Sequence, residues 1–257
     1  MSGVLEGIRV LDFGRYIAGP FCGTMLADLG AEVIRVEKLE GSEDRWVTPV
    51  VEGGEGAMFL QMGRNKLGLT LNPMKPEGRE IVRKLVATSD VVIANLPYED
   101  LQKMGIDYES LSAINPRIIL ATTSTFGSEG PYKTRVGFDT IGQAMSGAMH
   151  LSGDGETPTR MNAPFVDFGT ALLNTVGVLA ALMERTKSGK GQKVETALLR
   201  TAINITNGHL IEQAMLNLNR IATLNRGFTA GPSDTFKCKD GWIYAMTIGQ
   251  PLFVRWC

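Results

Sequence analysis

The sequence lacks the signatures that most often announce a function. It contains no G-x-G-x-x-G and no Walker A pattern, which disfavours the usual dinucleotide and P-loop readings. Its three cysteines, Cys22, Cys238 and Cys257, show no CxxC or CxxH spacing. So sparse and odd a count points to reduced thiols in a cytoplasmic protein. A formal net charge of −1 leaves no overall field to draw in nucleic acid or a membrane surface. The opening residues, MSGVLEGIRVLDFG, have no charged lead followed by an apolar core, so no export signal is read there. Internal repeats and low-complexity tracts are also missing. There are only two histidines, His150 and His209, and each is read as an ordinary surface or capping residue.

What remains is an ordinary globular composition, 44% hydrophobic and 21% charged over 257 residues. That length suits one large or two small domains and buries a core without metal or disulfide. Short Val/Ile-rich runs alternate with helical stretches: IRVLDF (8–13), EVIRVE (32–37), GLTLN (68–72), DVVIANL (90–96) and RIILATTS (117–124) as strands; residues 19–31, 76–89 and 108–115 as helices. This alternation predicts an α/β fold, a Rossmann-like and mostly parallel sheet with helices on both faces. Segments 40–64 and 126–137 read as loops, and the chain turns helical after residue 138. In such sheets ligands sit beyond the carboxyl ends of the strands. DFGRYIAGP, VEKLEGSEDR and ANLPYEDLQK occupy three of those ends.

One acidic residue stands out. Asp167 precedes a run of about sixteen residues in which only Thr170, Asn174 and Thr175 are polar. Leu172, Leu173, Val176, Leu179, Ala180 and Met183 recur at helical spacing, and Ala171, Gly177, Val178 and Ala181 make the other side apolar too. A helix apolar nearly all round is expected to be buried. Glu184, Arg185 and Lys187 bound the run too sharply for a membrane span, and SGKGQ supplies glycine punctuation at its end. The plain reading of Asp167 is an N-cap. The sharper reading is an ionised, oriented, poorly solvated carboxylate suited to nucleophilic attack. A cap and a nucleophile can be the same residue.

Five stretches, GIRVLDFGRYIAGPFCGTMLADLGAEVIRVEK, RNKLGLTLN, NPRIILATTSTFGSEGPY, GFDTIGQAMSG and VDFGTALLNTVGVLAALMERTKSGKGQKVETAL, together resemble the family III CoA-transferases, in order, from about residue 5 onward. The resemblance places the family's catalytic aspartate on Asp167. It implies attack of that carboxylate on an acyl-CoA thioester, a mixed anhydride, an aspartyl-CoA thioester and delivery of CoA to a carboxylic acid. No metal or organic cofactor is implied, because CoA arrives as substrate. The implied CoA contacts are Tyr16 and Ile17 after the first strand, Lys38, Lys66, Asn95 and Leu96, Lys103 and Arg135. Leu96 replaces the family's phenylalanine. The helix dipole would favour the ionised form of Asp167.

Related α-methylacyl-CoA racemases carry a histidine where this chain has Phe138 in GFD, and a phenyl ring moves no proton. The transferase reading is therefore ranked above a racemase. The resemblance further implies a large domain over 1–224, a smaller one beginning at 225, a possible lid at 225–238, and an interlocked homodimer. WIYAM followed by PLFVRWC reads as an incomplete apolar unit, so a truncated chain or inactive CoA-binding fragment is a third reading.

Overall fold

The computed structural model describes residues 3–50, 52 and 54–257. Its strands are β1 Arg9–Asp12, β2 Glu32–Glu37, β3 Lys66–Thr70, β4 Val91–Ala94, β5 Ile119–Ser124, β6 Lys193–Ala197, β7 Ser233–Lys237 and β8 Trp242–Met246. Its helices are α1 Ala18–Asp28, α2 Ala57–Gly63, α3 Pro76–Val86, α4 Tyr98–Met104, α5 Tyr108–Ile114, α6 Asp139–Met145, α7 Phe165–Ser188, α8 Leu198–Leu216 and α9 Gln250–Trp256. The chain forms two compact units, Met1–Gly142 with Ala163–Ile205, and Gln143–Asn162 with Thr206–Cys257. The boundary expected at 224/225 falls inside the second. Helix α2 lies in a segment expected to be loop.

The first unit holds the predicted sheet. Six strands run in the order β3-β2-β1-β4-β5-β6, and every pairing among them is parallel. The order reverses between β1 and β4, so the crevice beyond their carboxyl ends is the topological switch point. Strand alternation divides the core. Val10, Val33, Val91, Ile93, Ile119 and Ala121 face α1 and α7. Leu11, Val36, Val92, Ala94 and Leu120 face the other way, onto Val82 and Val86 of α3, Leu101 and Met104 of α4 and Leu111 of α5.

Helix α7 departs from expectation. It is buried on one side only. Val166, Asp167, Thr170, Ala171, Asn174, Thr175, Val178, Ala181, Leu182 and Arg185 face inward, while Leu172, Leu173, Val176 and Met183 are exposed. The reason is close approach. Small residues let α7 lie tightly on α1 and the sheet, which leaves the large aliphatic stripe outside. Two threonines of the inner face are satisfied locally, Thr170 and Thr175 donating to the carbonyls of Val166 and Ala171. Asn174 donates to Thr123 Oγ1 on β5. By length and composition α7 could cross a membrane, and it runs on through Glu184, Arg185 and Lys187 to a left-handed cap at Gly189, φ 71°. Its polar inner face, packed on α1, β5 and β6, marks it as a core helix of this unit.

At the carboxyl ends of β1 and β2 the same inward alternation carries charge. Asp12 follows Val10, and Arg35 and Glu37 follow Val33. Asp12 is fully buried and pairs with Lys66 Nζ at 2.7 Å; that ammonium also donates to the Pro20 carbonyl at 2.6 Å. Burial works against the Asp12 charge, but Lys66 and Arg35 outweigh it and hold the carboxyl below its ordinary range. Gly14, Gly19 and Gly23, which spell no nucleotide motif, make room for this arrangement. A Cβ on Gly23 would lie 3.1 Å from both Asp12 Oδ2 and Lys66 Nζ.

In the second unit, β7 and β8 form an antiparallel hairpin, so Ser233–Lys237 of the expected lid segment are strand. No residue of α9 is buried.

Lys66→Ala would strand the Asp12 charge in the core. The expected loss is about 3–5 kcal/mol of stability, as for a broken buried pair, read by urea denaturation, with the double change Asp12→Asn/Lys66→Met restoring part of it. A Lys66→Ala protein as stable as the parent would contradict this.

Candidate active site

The first turn of α7 is built around a carboxylate that does not belong to it. Pro164 is the N-cap residue and supplies no side-chain bond, so the first amides of the helix need another acceptor. Asp139 Oδ1, from the start of α6, accepts from Val166 N at 2.8 Å and Asp167 N at 3.0 Å. Asp167 is therefore the third helical residue and not the N-cap. The capping role belongs to Asp139, a residue of the GFD stretch that the sequence reading passed over. An aspartate opening a short helical pattern was the available signal. Gly142 allows this approach, since a Cβ there would fall 2.7 Å from Val166 Cγ1.

Asp167 is 8% exposed, and among the described residues no side chain donates to its carboxyl. Val166 and Phe165 pack with Ala18, Leu198 and Ala202, and Phe168 meets Phe21 edge-on at 4.8 Å. Burial, then the charge of Asp139, pushes the Asp167 carboxyl up to about 7. This corrects the expectation of a dipole-stabilised carboxylate. The amides that carry the positive end of the helix are spent on Asp139. Asp167 has the desolvation and the repulsion, which together favour its protonated form.

The predicted CoA contacts divide into two groups. Tyr16, Ile17, Lys38, Asn95 and Leu96 lie beyond the carboxyl ends of β1, β2 and β4. Asn95 clamps the first of these loops, accepting from Arg15 N at 2.7 Å and donating to the Arg15 carbonyl at 2.8 Å. Lys38 is exposed beside Glu43. Lys103, on α4, pairs with Asp100 at 3.4 Å, and Arg135, after β5, lies over the Tyr132 ring at 4.2 Å. Lys66 differs from all of these. Its side chain is 1% exposed, and the Asp12 pair turns it into the core. Ile17 is also buried.

The sequence reading missed the ionic frame behind these loops. Arg35, 2% exposed, donates through one nitrogen to both Asp44 oxygens at 2.8 and 2.7 Å. Asp44 Oδ2 accepts from Tyr16 N at 2.9 Å. Arg45 grips both Glu37 oxygens at 2.8 and 2.9 Å, and Glu37 also accepts from Ser42 N. A charged pair alternating with Ile34 and Val36 in EVIRVE was the only hint. Neither histidine enters this region. Both line a cavity of about 420 Å³ in the second unit, where His150 Nε2 meets the Arg220 carbonyl and His209 meets the Phe228 ring.

A carboxyl held this way can attack an electrophilic carbonyl or accept a proton, and similarity to known proteins narrows the choice. Residues 5–257 match the family described as CoA-transferase family III. A succinate–glutarate CoA-transferase of Agrobacterium fabrum is 41% identical over 262 residues, spanning 98% of this chain and 65% of its own length. The human succinyl-CoA:glutarate CoA-transferase is 35% identical over 98% of this chain and 58% of its own length. A CaiB/BaiF family protein from Brucella suis, solved by crystallography, superposes with a TM-score of 0.89 at 36% identity, over 94% of this chain and 65% of that one. The chain thus spans less than two thirds of these relatives, and the family match covers residues 5–257 of it. The chain belongs to CoA-transferase family III.

Proposed function

We propose that this chain carries the nucleophile of an enzyme that moves CoA from an acyl-CoA thioester to a carboxylic acid. The observation that carries the reading is Asp167, a carboxyl buried at the start of an apolar helix, its backbone fixed by Asp139 and its proton held to about 7. In the sequence of steps, the ionised carboxylate adds to the thioester carbonyl and CoA leaves as thiolate, giving a mixed anhydride. The thiolate then adds to the aspartyl carbonyl and the acyl carboxylate leaves. The acceptor carboxylate adds to the resulting aspartyl thioester and expels the thiolate, which finally adds to the acceptor's acyl carbon and frees Asp167. Each step exchanges one anion for another, so no proton shuttle is needed. A dry, positioned site suffices.

The names of the relatives favour four- and five-carbon dicarboxylic acids, with succinyl-CoA as donor and glutarate as acceptor. CoA would lie across the loops bearing Tyr16, Ile17, Lys38, Asn95 and Leu96, with Lys38, Lys103 and Arg135 toward its phosphates. The exposed stripe Leu172, Leu173, Val176 and Met183 is the kind of surface that an interlocked second copy would cover, and a cytoplasmic enzyme fits the thiol usage. A racemase is disfavoured because Phe138 occupies the position where proton transfer would need a base.

Asp167→Asn is expected to abolish transfer while raising stability at pH 8. A carboxyl whose folded pKa lies above its unfolded value contributes stability at low pH that is lost as pH rises through about 7. The amide escapes that loss. The gain should appear as a melting point higher by roughly 2–4 °C per kcal/mol. Transfer at the parent rate would refute the assignment.

With Asp139→Asn the amide oxygen can still cap the helix, but the charge is gone. The acid limb of kcat/KM for the acyl-CoA, expected near pH 7 in the parent, should move to lower pH. An unmoved limb would show that Asp139 does not tune Asp167.

Single alanine changes at Lys38, Lys103 and Arg135 should weaken CoA binding by roughly tenfold wherever the cation meets a phosphate. Unchanged calorimetric affinity in all three would displace the nucleotide from these loops.

A further inference from the structure

The loop that leaves β1 carries a cation that the ionic frame behind it does not neutralise. Arg15 is half-buried, and Asn95 pins its backbone from both sides. Its N–H donates to Asn95 Oδ1 at 2.7 Å, and its carbonyl accepts from Asn95 Nδ2 at 2.8 Å. One terminal nitrogen of the guanidinium, Nη1, donates to the carbonyls of Phe13, Gly14 and Val36 at 3.1, 2.8 and 3.4 Å. The ends of β1, β2 and β4 thus all hold this one residue. Strands β1 and β4 are the pair between which the sheet order reverses.

The neighbouring cations are matched. Arg35 pairs with Asp44, Arg45 with Glu37, Lys66 with Asp12 and Lys38 with Glu43. Among the described residues Arg15 pairs with no carboxylate. Its Nε and Nη2 donate to nothing there, and neither is an enclosed atom, so both open outward. Arg35 lies behind it, 2% exposed, with its own Nη1 buried and without a hydrogen-bond partner. Burial, then the Arg35 charge, hold the Arg15 guanidinium below its ordinary range, while Asp44, Asp12 and Glu43 act on it from beyond ion-pair distance. A guanidinium stays charged even so. Two guanidinium groups of like charge, one of them fixed with donors unused, therefore stand where sheets of this kind bind ligands.

We propose that Arg15 is an anion-binding residue of the switch-point crevice, receiving a phosphate or carboxylate group on Nε and Nη2. The choice of ligand rests on the function proposed above. CoA brings phosphates, and a dicarboxylic acyl chain brings a carboxylate that does not react. Either group presents paired oxygens that match the planar fork of a guanidinium. The bonds from Nη1 to three carbonyls hold that fork in place beforehand, so little side-chain freedom is lost when the anion binds.

The test measures binding by calorimetry to the full chain carrying Asp167→Asn, which under the proposed function leaves thioesters intact. The ligands are CoA, succinyl-CoA and butyryl-CoA, the last matching succinyl-CoA in length without its free carboxylate. Adding Arg15→Gln should weaken succinyl-CoA binding by roughly tenfold. Arg15→Lys should weaken it less, because the ammonium keeps the charge. Equal losses for all three ligands place a phosphate on Arg15, whereas a loss confined to succinyl-CoA places the free carboxylate there. Glutamine and lysine can both still donate to the three carbonyls, so equal effects of the two changes would reveal a loop fastener and overturn the proposal. Unchanged affinity for all three ligands would do the same. Should Arg15→Gln fail to fold by circular dichroism, phenylglyoxal labelling of Arg15 in the parent protein, mapped by peptide mass spectrometry, decides instead. Protection by CoA or by succinate supports the site, and labelling that neither alters overturns it. Transfer to glutarate is assayed in parallel with Asp167→Asn. Transfer lost with the affinities unmoved removes the anion site alone, whereas transfer persisting removes the proposed function and leaves the affinities to judge the site.

Discussion

The bond from the Asp167 amide to Asp139 is the constraint on which the site depends. A helix start exposes several unpaired N–H groups, and a helix beginning Pro-Phe-Val-Asp has no side chain of its own at the cap to receive them. Had Asp167 been the cap, its carboxyl would have been a stabilised, weakly reactive anion bonded to its own helix. Delegating the cap to α6 frees the Asp167 carboxyl from the backbone and brings a second negative charge close to it. Both effects act in one direction, raising the proton affinity of Asp167 to about 7 and with it the nucleophilicity of the anion once formed. The protein accepts a destabilised group at one point of its core, as functional sites commonly do.

A similar division of labour governs the crevice at the switch point. Loops beyond parallel strands are mobile unless something fixes them, and here buried charge does so. Asp12 and Lys66 fix the base of the first loop and the turn into α1, while Arg35 and Arg45 fasten the second loop through Asp44 and Glu37. Buried pairs of this kind add little net stability over apolar packing, because desolvation consumes most of the attraction. Their value lies in specifying one loop geometry, including the left-handed backbone at Tyr16 that a purely apolar contact would release.

Much of the fold could be read from sequence, because the Val/Ile strands and the caps between them are local signals. Five of the six strands of the sheet fall close to where alternation placed them, whereas β6 lies in the part of the chain expected to be helical, and the glycine stop at 189 ends α7 as expected. Two features could not be read this way. Which side of α7 faces inward depends on how closely α1 approaches, a tertiary quantity that hydrophobic spacing does not encode; burial was expected all round, yet Leu172, Val176 and Met183 stay exposed. Lys66 likewise looks in sequence like any surface cation, and only the parallel register of β3 beside β2 turns it toward Asp12. At the site, Asp167 was legible from its apolar context. Asp139 was not, since its partners lie 27 and 28 residues away and no local pattern distinguishes a cap for another helix from one for its own.

The chemistry and the electrostatics meet in the absence of a proton balance. Every step of the proposed cycle trades a carboxylate for a thiolate or the reverse, so the site has no need of the bases and water chains that hydrolytic enzymes keep. Such a site can exclude water, and exclusion is also what raises the pKa of Asp167. If the proposed cycle holds, the perturbed carboxyl and a protected intermediate are two consequences of one desolvated position. Opening that position to solvent would lower the pKa toward the ordinary range and shorten the life of the proposed anhydride together. A substitution that altered one of these properties without the other would show that desolvation is not their common cause.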